Sequence, residues 1–151
     1  GGAVFLEGSG STVTLVNVLL NQDSSSGGAT HGAAIYGDTG TTVSMMNSIV
    51  NTYMSAYSLY GTGTASFEYN NVYNSESSSW LYGGSYVAGS DSYAVDPRMT
   101  DPTCQDVPGD NDMTLDPASP AVDGGHPDKV YYDTDGSRND MGALGGPSGN
   151  W

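Results

Sequence analysis

The chain has 151 residues, with 17 acidic and 3 basic side chains and a formal net charge of −14. That length allows one domain. A surface of this sign repels phosphate backbones and anionic lipid headgroups, which excludes nucleic-acid binding and disfavours membrane surfaces, while it attracts hard cations, calcium above all.

From the first residue the chain repeats itself. Gly1–Asn21, His31–Asn51 and Met54–Asn74 align without a gap over 21 residues. Four columns are identical: Ala3/Ala33/Ala56, Gly10/Gly40/Gly63, Asn17/Asn47/Asn70 and Asn21/Asn51/Asn74. Within each copy apolar residues alternate with polar ones: Val13 and Leu15 face one way, Thr12 and Thr14 the other, and Val43 and Met45 against Thr42 and Ser44 do the same. A period of two is a strand, not a helix. A second strand is expected through Leu19/Ile49/Val72, and a large-residue column through Leu6/Tyr36/Leu59. The glycine column sits in polar turns, where glycine adopts a positive φ without strain. The copies are separated by 30 and then 23 residues, the excess forming a polar loop at Gln22–Thr30. Unequal loops on a regular strand frame predict an all-β right-handed parallel β-helix of about three coils rather than a helical or leucine-rich array. In the third copy Ser66 and Glu68 fall into inward columns, so either Phe67 and Tyr69 turn inward through a one-residue bulge or the stack ends there. The six asparagines Asn17, Asn47, Asn70, Asn21, Asn51 and Asn74 read as structural ladders along the stack rather than as a sugar groove.

The predicted organisation is coils over 1–76, a transition over 77–95 and an irregular capping tail over 96–151, all in one domain. The tail, with the possible added strands Met113–Leu115 and Met141–Leu144, is expected to cover the carboxyl end of the stack. Its Asp133-Thr134-Asp135-Gly136 turn, followed by Asn139 and Asp140, gathers oxygen ligands as a calcium loop does. It is no EF-hand, because Arg138 and Leu144 stand where that loop needs glycine and glutamate. A second cluster, Asp110, Asp112 and Asp116, is weaker, since such residues cap their own turns. At the other end, Ala3, Val4, Phe5 and Leu6 enter the first coil directly, which predicts an uncovered edge: a head-to-tail contact with another copy, building a filament, or upstream coils of a longer chain. The single Cys104 leaves no disulfide framework.

Several tail strings resemble the closing segment of secreted right-handed parallel β-helix proteins. They are Asp96-Pro97, Ser119-Pro120-Ala121-Val122-Asp123-Gly124-Gly125 and Asp133-Thr134-Asp135-Gly136-Ser137-Arg138-Asn139-Asp140-Met141-Gly142-Ala143. That family includes polysaccharide lyases, hydrolases and adhesins, so the resemblance implies a fold and an extracellular setting more than an activity. Family enzymes place their catalytic residues on many more coils than this chain has.

A catalytic set is not expected here. The coils contain no Lys or Arg and a single histidine, His31, whereas uronate elimination needs a base beside a cation. Glu7, Asp38 and Glu68 show no pairing that would support glycoside hydrolysis. Arg138 reads as a guanidinium that pins a loop. The expected role is an extracellular, non-catalytic structural or adhesive module. The alternatives are the terminal part of a polysaccharide lyase or hydrolase, or a carbohydrate-binding module with Tyr36, Tyr57, Tyr60, Tyr69 and Tyr73 as platforms.

Overall fold

A computed structural model of the chain describes residues 3–22, 32–53, 57–75, 77–101 and 112–149. Their regular structure is strand, apart from single turns of 3-10 helix at Ser78–Trp80 and Lys129–Tyr131. Ten strands follow in chain order: β1 Val4–Leu6, β2 Thr12–Val16, β3 Leu19–Gln22, β4 Ile35–Gly37, β5 Thr42–Met46, β6 Ile49–Thr52, β7 Leu59–Gly61, β8 Thr64–Glu68, β9 Asn71–Asn74 and β10 Tyr82–Gly84. They form three sheets, ordered β1-β4-β7-β10, β2-β5-β8 and β3-β6-β9, and the pairing within each is parallel. The molecule is therefore all-β, with each coil of chain giving one strand to each of three stacked sets.

Two kinds of corner make this possible. Between the first and second strands of a coil lies a glycine turn, with Gly8, Gly10 and Gly40 at φ +86°, +91° and +81°. Between the second and third strands one residue turns the chain sharply in the left-handed region: Asn17, Asn47 and Tyr69 all have φ 52°. Asparagine tolerates that conformation, whereas a tyrosine there is strained.

The register differs from the sequence alignment. Coils one and two keep their 30-residue offset in the second and third sheets (Leu15↔Met45, Asn21↔Asn51), but the first sheet pairs Phe5 with Tyr36 and Leu6 with Gly37. The third coil pairs Met45 with Phe67 and Ile49 with Asn71, one residue away from the aligned columns. The reason is the core. A one-residue slip exchanges the two faces of a strand, and the aligned register would bury Ser66 and Glu68 and expose Phe67. In the observed register Phe67 is buried and both polar residues are exposed, a gain of about 1.5–3 kcal/mol for the ring alone. The pairing of β5 with β8 is continuous, so the turn before Thr64 absorbs the shift and no bulge is needed.

Inside the stack, Ile35, Val43, Met45, Val50, Leu59, Phe67 and Val72 form one core. A second core lies outside the third sheet, where Ile49 packs with Met99, Leu115, Ala121 and Met141. The sequence places the tail over the carboxyl end. The structure lays it along the flank instead, because the outer face of the third sheet carries Leu19 and Ile49, which need cover. The carboxyl end is closed by residues of the 77–95 segment. There β10 continues the first sheet, Tyr93 bridges Asn71, and Gly89 passes so close that a Cβ would overlap the Phe67 carbonyl. Of the two tail segments expected as strands, Leu115 makes a single antiparallel bridge with Met99, and 141–144 is a turn. No helix among the described residues is long and apolar enough to cross a membrane.

Candidate functional site

The left-handed corner is where the tail is held. Asn17 Nδ2 donates to Asn139 Oδ1 (3.2 Å) and to the Asp140 carbonyl (3.1 Å). Asn47 Oδ1 accepts from the His126 N–H (2.7 Å), and its carbonyl accepts from the Gly142 N–H (2.9 Å). At the third level Tyr69 packs edge-on to His126 with centroids 4.7 Å apart, His126 packs on Tyr131 at 5.0 Å, and the Arg138 guanidinium lies 5.9 Å from the Tyr69 centroid. Arg138 Nε also donates to the Gly125 carbonyl (2.7 Å), the loop-pinning role its sequence context suggests. Asn17 and Asn47 were expected to bond to each other along the stack; the left-handed backbone turns their side chains to the tail instead.

A polar ladder exists one residue further on. Ser48 Oγ accepts from the Val18 N–H (3.1 Å), Asn70 Oδ1 from the Ser48 N–H (3.0 Å), and Ser92 Oγ from the Asn70 N–H (3.3 Å). Each coil thus caps a corner N–H of the coil before it, and Asn70 belongs to this column rather than to that of Asn47. Asn70 Nδ2 also reaches the Met45 carbonyl at 2.9 Å. In the other predicted ladder Asn51 Nδ2 donates to Asn21 Oδ1 (2.8 Å). Tyr73 takes the next place in that column, and Asn74 is displaced to donate to Ser58 Oγ at 3.4 Å. This ladder was not legible from identity columns, because its members Val18, Ser48, Asn70 and Ser92 differ in type.

The predicted calcium loop is a hydrogen-bonded turn. Buried Asp133 accepts from the Asp140 N–H (2.9 Å) and from the Gly146 N–H. Asp135 Oδ1 accepts from the backbone and hydroxyl of Ser137, at 2.8 and 2.6 Å. Asp140 Oδ1 accepts from the Asp123 N–H. Asn139 faces away, donating to the Tyr131 carbonyl at 2.7 Å. Asp133, Asp135 and Asp140 border one hollow of about 310 Å³ with Leu115, Pro117 and Val122. Burial pushes the Asp140 carboxyl up to about 6, with Asp133, Asp123 and Asp135 adding repulsion. Burial likewise raises Asp133, while the Ser137 bonds lower Asp135. Among the described residues no group of three or more His, Cys, Asp or Glu could hold a metal ion. The side-chain oxygens expected to serve a cation accept hydrogen bonds from backbone N–H groups, from the Ser137 hydroxyl and from Asn17 Nδ2. Asp112 and Asp116 cap turns in the same way, through the N–H groups of Thr114 and Ala118.

The tyrosines of the first sheet form a stack. Phe5 and Tyr36 lie 5.1 Å apart at 11°, and Tyr36 and Tyr60 lie 6.0 Å apart at 16°. Tyr57 leans on Tyr60 at 5.7 Å. Rings stacked on one another turn their faces to each other, leaving edges to solvent, which is poor geometry for a sugar platform. Only Phe5, 60 % exposed, has no ring stacked on its outer side among the described residues.

The two ends differ. At the carboxyl end Tyr86, 2 % exposed, runs into the core and packs edge-on to Phe67 at 5.3 Å. It occupies the column of Leu6, Gly37 and Gly61: a Cβ on Gly61 would lie 2.6 Å from Tyr86 Cε1, and one on Gly37 would overlap its hydroxyl. Two missing side chains make the channel for this bolt. At the amino end Val4, Val13, Leu15 and Leu20 are half-buried, whereas Ile35, Val43, Met45 and Val50 beneath them are at most 1 % exposed. Glu7, Asp38 and Glu68 lie on the exposed or half-buried surface in different turns and strands, and Asp38 caps Thr39 at 2.7 Å. His31, Ala56, Cys104, Asp110 and the loop 23–30 lie outside the described residues. Comparison with protein-family models, curated proteins and solved structures finds no match for this chain.

Proposed function

We propose that the three stacked strand sets are a right-handed parallel β-helix whose role is structural or adhesive rather than catalytic. Right-handed crossovers between parallel strands are favoured by strand twist, which supports the handedness. The observation that carries the role is where the repeated side chains go. The polar positions at the corners are taken up in holding one coil to the next or the coils to the tail, and the aromatic column is taken up in stacking. An extracellular setting is supported by the acidic, lysine-poor composition and by the resemblance of the tail strings. Among the described residues the 77–95 segment covers the carboxyl end, which supports a closing module over a filament subunit with two open edges. Incubation with polyuronides and neutral glycans tests the non-catalytic part. No unsaturated or reducing products are expected, and their release by this chain would overturn the reading. The resemblance of the tail strings to the closing segment of secreted parallel β-helix proteins supports the second reading, the terminal part of a polysaccharide-acting enzyme with its active residues on other coils.

A further inference from the structure

The coil-to-coil contacts inside the molecule define what a coil presents to the one before it. Each adds a strand to all three sheets, puts an apolar side chain over the inward columns of Val4, Val13, Leu15 and Leu20, leaves glycine on the column of Leu6, and in the first two steps places an aromatic ring over the ring below. Each also abuts the preceding turn: a Cβ on Gly40 would lie 2.9 Å from Ser9 Oγ, and one on Gly63 would lie 2.6 Å from Thr41 Oγ1. The first coil carries the same features, with no described residue stacked on their outer side. A Cβ on Gly10 would meet no atom within 4 Å, Phe5 is 60 % exposed, and Val4, Val13, Leu15 and Leu20 are half-buried, while Leu6 is already buried.

Two quantities decide what can cover this edge. A coil of about twenty residues has a perimeter of roughly 65 Å and encloses roughly 200–300 Å² of apolar interior, a small apolar contact beside the about 800 Å² of surface that each partner buries in a stable association between separate chains. A second copy also brings another net charge of −14, and like charge opposes association. Both quantities favour a tethered occupant over a free one. The topology supplies the tether: β4 and β7 are each entered from the third-sheet strand of the coil before them, so a coil on this edge runs directly into β1.

Resting on the β-helix reading, we infer that the β1–β2–β3 edge is an acceptor for one further coil in the same polypeptide, which adds a parallel strand to each sheet, seats aliphatic side chains over Val4, Val13, Leu15 and Leu20, and lays an aromatic ring on Phe5. The test joins a copy of residues 32–57 directly ahead of Ala3, where the copied coil enters β1 as the second coil enters the third. Hydrogen exchange, melting and sedimentation are compared for the parent chain, the extended chain, an extended chain with the added segment shuffled, and an extended Phe5→Ser chain. The expected result is a higher melting midpoint for the extended chain alone and slowing of the β1, β2 and β3 amides by roughly tenfold or more, with part of the gain lost in the Phe5→Ser chain. An added coil that stays protease-sensitive, with edge amides unchanged on an intact parent fold, overturns the inference and leaves the β-helix reading standing. So does a parent chain that dimerises with those amides already protected, which would name a second copy as the occupant. A parent chain without β circular dichroism sinks the underlying reading instead.

Discussion

Gly61→Ala tests the bolt at the closed end. Alanine suits a strand better than glycine, and lower unfolded-chain entropy alone predicts a gain of about 0.4–1 kcal/mol. The structure predicts the reverse. The new methyl would lie 2.6 Å from Tyr86 Cε1, inside the roughly 3.5–4.0 Å of carbon contact. The ring cannot retreat, because it is packed against Phe67 at 5.3 Å and an interplanar angle of 74°. Overpacking of this kind costs about 1–3 kcal/mol. Tyr86→Ala empties the channel and costs about 3–5 kcal/mol by loss of the buried ring. In the double variant the Gly61→Ala methyl enters the space the ring has left, so the combined loss falls short of the summed single losses by about 1–3 kcal/mol. Urea unfolding of the four proteins measures this, with constant m-values as the check that only stability has changed. If Tyr86→Ala is too unstable to analyse, Tyr86→Leu runs the same cycle. Losses that add to within about 0.5 kcal/mol would refute the bolt.

Asn71 is fully buried below Ile49, and neither its Nδ2 nor its Oδ1 has a hydrogen-bond partner among the described residues. Asn71→Leu removes that desolvation penalty and extends the Leu19–Ile49 column, so stability should rise by about 1–2 kcal/mol; a lower melting midpoint would count against it. Asp140 titrates in the fold at about 6, above the roughly 3.9 of an unfolded aspartate. A carboxyl raised by folding favours the fold when protonated, so the melting midpoint should climb as pH falls from 7 through 6 toward 5, with Asp133 acting in the same direction. Asp112 and Asp135 are lowered, so their contribution is lost only on further acidification, below about pH 4. Asp140→Asn, which keeps an acceptor for the Asp123 N–H, should flatten the pH 5–7 limb, and an unchanged slope would show that another group is responsible. The hydrogen-bonded 133–140 loop predicts the same melting midpoint in calcium and in chelator, whereas a rise of several degrees with calcium would show that the loop rearranges into a cation site.

The alternation Val13–Leu15 and Val43–Met45, the glycine turns and the pairing of Asn21 with Asn51 could all be read directly from the residues, because strand period and turn chemistry are local. The third coil could not be placed by identity. Its turn length sets the register, and burying Phe67 outweighs matching Asn70 to Asn47. The corner asparagines carried a true signal under a different cause: a left-handed φ at every level, which Tyr69 meets at the cost of strain. The position of the tail was hidden because Met99, Leu115 and Met141 have no periodicity to show which surface they cover. Tyr86 gave no sign as one tyrosine in a Gly/Ser-rich stretch, and its channel becomes visible only once Gly37 and Gly61 share a column.

A stack that touches only its neighbours melts one unit at a time, beginning at an end. Here Asn139 is bonded to Asn17 across 122 residues of chain, and the same tail holds Asn47 and Tyr69 on the way. Fraying of the first coil therefore requires the last part of the chain to let go. Flank contacts of this kind tie the coils to one another through the tail, so a change that loosens the tail is expected to loosen all three coils together.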